Sequence, residues 1–223
     1  MMTRSERRGQ ERQITTRPGR RRALLALALA VALLLAGARR GEAHKPVFPQ
    51  GANHTPGQAL PVADVAISWA FYTRLGAGHV ADYYRFEARR GQTLYAQIVI
   101  PRLARYVGFG PGLALVGPGL PRPAGGRQAV AIPAGMGLQT LLPTRAQMLT
   151  APVFHESFSN TDYWVRQTLN RPAPRDGTYY LVVFEQGGGG GKYCLAVGQR
   201  EEFSPGDLLN LPALLGKLRA WFS

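Results

Sequence analysis

Beyond Pro61 apolar residues recur at every second position, the period of a strand with one buried face. In "VAISWAFY", Val65, Ile67, Trp69 and Phe71 point one way and Ala66, Ser68, Ala70 and Tyr72 the other. "DYYRFEARRGQTLYAQIVIP" reads as strand, turn, strand. Tyr84, Phe86 and Ala88 share one face, Arg89-Arg90-Gly91-Gln92 turns the chain, and Leu94, Ala96, Ile98 and Ile100 line the next face. "GLALVGPGLP" predicts a short buried strand, "RQAVAIPAG" another strand and turn, and "DGTYYLVVFEQ" and "KYCLAVG" two core strands. Between them the pattern is weaker, with strands expected over Val153–Phe158 and around Trp164. Many short strands broken by Gly/Pro turns predict an all-β, antiparallel, jelly-roll-like sandwich.

The period changes at both ends. Residues 44–61, "HKPVFPQGANHTPGQALP", carry too many prolines and glycines for regular structure and read as an extended arm. Residues 201–223 read as an amphipathic helical tail, with Leu208, Leu211, Leu215, Leu218 and Phe222 at spacings of three and four beside Trp221. Two roles fit that apolar stripe: packing on the sandwich, or lying on a membrane surface or a partner.

Residues 1–43 differ from everything after them. A basic stretch, residues 1–22, precedes the apolar run Ala23–Ala36, which is shorter than the roughly 20 residues a spanning helix needs. Small residues follow it, with cleavage sites ending at Ala38 and at Ala43; the second, preferred because Arg39 and Arg40 make an awkward start, leaves His44 at the new N-terminus. This is the layout of a signal peptide, by the general or the twin-arginine route, with an uncleaved anchor as the alternative. An exported protein, periplasmic or extracellular, is therefore expected.

That boundary changes the meaning of the charge. The whole chain carries +14, but residues 1–43 hold 10 basic and 3 acidic residues, so the remainder, with 17 and 10, is +7. Its arginines are scattered, without the basic stripe or motif of a nucleic-acid binder. A single cysteine, Cys194, excludes an internal disulfide and a cysteine zinc site.

"EQGGGGGKYCLAVG" invites a nucleotide reading. A phosphate loop needs a following helix and a hydroxyl after its lysine, and here Lys192 opens an alternating strand. The expectation is a loose hairpin tip and no nucleotide.

"DYYRFEARRGQTLYAQIVI", "LALVGPG" and "DGTYYLVVFEQGGGGGKYCLAVG", in that order, resemble the bacterial pre-peptidase C-terminal domain. The resemblance covers about Val65–Gly198. It implies a jelly-roll-like β-sandwich that accompanies secreted proteins and assists secretion, localisation or substrate binding, with calcium in some members. This chain is poor in acids. It also places a long segment, about residues 121–174, inside the domain expected over residues 62–200.

Candidate chemistry is sparse. A mature N-terminal His44 offers amine and imidazole together, a copper chelate that His54, His79 or His155 would complete. Asp162, Tyr163, Trp164 and Arg166 form a second candidate, an aromatic platform with polar neighbours for a glycan or peptide; Trp164 also suits sheet packing. Asp82 and Asp176 sit beside turns, where carboxylates accept backbone hydrogen bonds. Ser157 near His155 and Glu156 lacks a nucleophile elbow. The reading is a non-enzymatic exported sandwich with a binding or structural role in the envelope or outside the cell. Its partner would be an envelope protein, a glycan or a peptide, and no cofactor is expected. A copper-binding exported protein is the alternative, with a hydrolase third.

Overall fold

The computed structural model describes residues 44–223, apart from Ala77, Pro123, Ala124, Gly126, Arg127, Phe158, Gly188, Pro205, Leu208 and Leu209. The expected signal segment therefore lies outside the described residues, as do Phe158 and Leu208.

Eleven strands among the described residues form two sheets. They are β1 Lys45–Val47, β2 Leu60–Pro61, β3 Trp69–Arg74, β4 Ala81–Ala88, β5 Thr93–Pro101, β6 Gly112–Gly117, β7 Gly137–Leu141, β8 Val153–Glu156, β9 Thr161–Pro172, β10 Gly177–Phe184 and β11 Lys192–Val197. The larger sheet has the order β1-β3-β11-β5-β9-β8 and the smaller one β2-β4-β10-β6-β7. From β1 to β6 each strand lies in the sheet opposite its predecessor, so the chain laces the sandwich together.

The two-residue period is what builds this. Tyr84, Phe86 and Ala88 of β4, Leu94, Ala96, Ile98 and Ile100 of β5, Leu181 and Val183 of β10, and Leu195 and Val197 of β11 meet in one core between the sheets. Strand β3 starts later than the alternation predicts. The Asp64 carboxylate accepts the Ala66 N–H at 2.8 Å and bends the chain, so Val65 reaches the core from a turn.

Both outer faces are covered as well. Ala81, Tyr83, Ala114, Val116, Tyr180, Val182 and Phe184 on the smaller sheet pack with Val130. The segment read as a strand around Val130 forms no strand among its described residues; its neighbour β7 supplies that sheet's edge. A short helix, α1 (Arg145–Leu149), is closed by a capping box of Thr144 and Gln147. The C-terminal helix, α2 (Leu211–Phe222), covers the larger sheet. Leu218 is 2% exposed, Trp221 meets Tyr72 edge-on at 4.9 Å, and Phe222 meets Tyr163 edge-on at 5.5 Å. Its stripe is used internally, which corrects the membrane or partner reading of Leu218, Trp221 and Phe222 and leaves Leu215 half-buried. No described helix is long and apolar enough to cross a membrane.

The glycine run is no hairpin tip. Strands β10 and β11 belong to different sheets, and the glycines carry the chain between them. A Cβ at Gly190 would stand 2.0 Å from the Leu75 carbonyl oxygen, and one at Gly191 would stand 2.5 Å from the Phe109 ring. Close passage of backbone demands glycine here.

Candidate functional site

The arm is less irregular than its composition suggests. Strand β1 pairs with β3 and β2 with β4, both in parallel, whereas the other strand-to-strand pairings among the described residues are antiparallel. Since β1 and β3 lie in one sheet and β2 and β4 in the other, the connections β1–β2 and β3–β4 cross the same side of the sandwich next to each other. Asn53 marks the contact: its carbonyl accepts the Tyr83 N–H at 2.8 Å, and its side-chain amide donates to the Tyr83 carbonyl at 3.4 Å. This register brings His54 of the first crossing against His79 of the second, with stacked rings 3.8 Å apart between centroids.

Beneath the two rings lies Asp82. It occupies the inward-facing series of β4 that continues through Tyr84, Phe86 and Ala88, and it is 0% exposed. A carboxylate there carries a desolvation cost that partners must offset. One oxygen, Oδ1, contacts His79 Nε2 at 2.6 Å. The other, Oδ2, accepts the Tyr193 hydroxyl at 2.5 Å. The Tyr193 oxygen lies 3.0 Å from the Tyr84 hydroxyl. Since the Tyr193 proton is directed at Asp82, Tyr84 is the donor of that second bond. Burial raises both phenols well above the ordinary tyrosine range, so both remain O–H donors.

The ligand atoms of His54, His79 and Asp82 all lie within 4.8 Å of one another. A tetrahedral ion at ~2.0–2.2 Å from each donor separates the donors by roughly 3.3–3.5 Å. The hydrogen-bonded His79–Asp82 pair would open by about 1 Å and His54, exposed on its crossing, would close. Two imidazoles and one carboxylate suit a first-row transition ion and leave a coordination position free. Calcium prefers six to eight oxygen donors, which this set does not offer.

Of the histidines read as metal candidates, His54 and His79 converge and the other two go elsewhere. His44 lines a small recess with Ser68, Tyr95, Gly198, Gln199 and Glu201. His155 Nδ1 contacts Asp162 at 2.8 Å on the edge hairpin of β8 and β9. Asp82 was read as a turn carboxylate, and the structure makes it the buried centre of the cluster. Tyr84 and Tyr193 carried no site reading. The signal was present for Asp82: one step back along the Tyr84–Phe86–Ala88 series places it inside.

The aromatic platform does not form. Tyr163 is 1% exposed beneath α2, and Arg166 is 7% exposed. Strand β9 has a register shift opposite Ile98/Val99, and Arg166 is the extra residue. Such a bulge re-aims a side chain. Here the guanidinium donates to the carbonyls of Phe109, Met148, Tyr106 and Val107 at 3.1, 2.6, 3.2 and 3.0 Å. Its carbon also lies 5.1 Å from the Trp164 ring centre, and Trp164 packs on the core. Asp162 stays at the surface between His155 and Arg102, and His155 first among these holds its carboxyl below the ordinary range. Asp176 does accept a backbone donor, the Arg90 N–H at 2.6 Å. Cys194 is buried, and burial pushes its thiol up.

The strand order defines a two-sheet β-sandwich of jelly-roll-like lacing with two parallel edge strands. Among solved structures the chain is similar to the pre-peptidase C-terminal domain of a collagenase from Bacillus anthracis, the family its sequence resembles. The identity is 17%, the match covers 61% of this chain and 91% of that one, and the TM-score is 0.30. It is also similar to a periplasmic inhibitor of g-type lysozyme from Aeromonas hydrophila, at 14% identity, 70% and 98% coverage and a TM-score of 0.30. At these values neither likeness bears on chemistry. No protein-family model matches the chain, and no curated protein does.

Proposed function

We propose that this chain is an exported, non-enzymatic β-sandwich that binds one divalent transition-metal ion through His54, His79 and Asp82. One observation supports it above the rest: two imidazoles from separate crossings converge on a β4 carboxylate whose second oxygen is already held by Tyr193. A purely structural role would be served more cheaply by apolar residues at an inward position of β4. Export rests on the layout of residues 1–43.

The test is titration calorimetry of the metal-stripped full chain with Zn(II) and Cu(II). One ion per chain is expected, with affinity falling at least about 100-fold in His79→Ala. Zinc at 100 times its dissociation constant should stabilise the fold by about 2.7 kcal/mol. Absence of saturable binding, or binding untouched by replacing both His54 and His79, would overturn the assignment.

A further inference from the structure

The same site has an interior side, and what reaches it there is unusual. Asp82 Oδ2 faces no solvent and no cation, and it accepts a phenol proton from Tyr193 on β11 of the opposite sheet. Tyr193 is itself held by Tyr84, two residues beyond Asp82 on β4. The relay thus runs from Tyr84 through Tyr193 to the ligand Asp82. All three of Asp82, Tyr84 and Tyr193 are fully buried.

Resting on the metal-binding reading above, we infer that Tyr193, oriented by Tyr84, is the positioning residue that holds Asp82 to a single coordinating oxygen and thereby sharpens the preference of the site for nitrogen-preferring transition ions over calcium. A carboxylate oxygen that accepts a short hydrogen bond is the weaker donor to a metal, so Asp82 favours coordination through the other. Calcium sites rely on bidentate carboxylates and many oxygens, whereas zinc and copper accept one oxygen beside two imidazoles. Hydrogen-bonded partners of a ligating carboxylate fix its orientation and its basicity, and losing one costs about 10–100-fold in metal affinity. The phenol does this from the interior, where water cannot compete for the same oxygen.

Tyr193→Phe removes one oxygen and keeps the ring that fills the core. Three readings on the full chain decide the matter: Zn(II) affinity, the ratio of Zn(II) to Ca(II) affinity, and the visible spectrum of the Co(II)-loaded protein. The expected result is zinc binding weakened about 10–100-fold. The zinc-to-calcium ratio should fall by at least about tenfold, and the cobalt bands should shift as the carboxylate changes its mode. A merely structural tyrosine would lower the melting temperature and leave the ratio and the spectrum alone. That outcome overturns the inference while the metal site stands. If the unmodified chain binds no zinc, the metal-binding reading falls, and the inference with it. Should Tyr193→Phe fail to fold, Tyr84→Phe carries the test. It removes the anchor of the Tyr193 hydroxyl, so infrared difference spectra of the zinc-loaded unmodified chain are read beside it, and a bidentate Asp82 carboxylate in that chain overturns the inference.

Discussion

Two places in this molecule put a charged side chain where the core should be, and they resolve the conflict differently. At the bulge of β9, Arg166 is surrounded by four backbone carbonyls and an aromatic face. Its donors are answered by the turn over Tyr106–Phe109 and by Met148 of α1. At the start of β4, Asp82 is answered by two side chains, a phenol and an imidazole, and a second imidazole lies on top. A charge satisfied by main chain organises a loop. A charge satisfied by side chains that are themselves metal donors can exchange a partner, and that difference separates scaffold from candidate site.

The contrast can be broken most directly at Arg166. Arg166→Met leaves four carbonyls without their donor and should cost about 3–5 kcal/mol, measured by denaturant unfolding. Zinc affinity of the fraction that remains folded should not change. A loss below about 1 kcal/mol would show that the loop holds without the guanidinium.

Asp82→Asn sharpens the comparison from the other side. It removes a buried charge and keeps an acceptor for Tyr193, so metal-free stability should hold or rise by up to about 1 kcal/mol. Zinc affinity should fall at least about 100-fold in the same protein. Destabilisation of Arg166→Met size would make Asp82 a scaffold residue too, and the contrast would vanish.

The smallest effect is expected at Asp162, the surface member of the platform that did not form. Its carboxyl is held below the ordinary range by His155 first and Arg102 after it. A depressed folded value contributes stability above the unfolded value and loses it as pH falls through the folded one. His155→Gln should therefore raise the Asp162 titration toward the ordinary carboxylate range, read by NMR of its side-chain carbon. Any change in stability should be confined to acid pH. An unmoved titration would assign the depression to Arg102 alone.

Period-two patterning placed the inward faces of β4 and β5 correctly because alternation is a local rule, obeyed wherever a strand is regular. It failed where geometry is not local. Nothing in "YWVRQ" marks a bulge, so Arg166 could not be told from a surface arginine, and Tyr163 gave no sign of lying beneath α2. The glycine run looked like a hairpin because sequence does not say which sheet the next strand joins. His54 and His79 meet only because two very short edge strands pair in parallel, and β2 has just two residues, one of them proline. Asp82 was the legible part of the site: an acid in phase with an aromatic, inward-facing series.

Those parallel edge strands have a consequence of another kind. Strands β1 and β2 are the outermost members of their sheets, and each shields the longer strand beside it, β3 in one sheet and β4 in the other. Bare strand edges invite pairing with another chain. A molecule trimmed of residues 44–61 would present two such edges on one flank, spaced to accept the arm of a second molecule. Residues 44–61 thus guard two sheet edges, and chains made without them should associate edge to edge or aggregate in proportion to concentration.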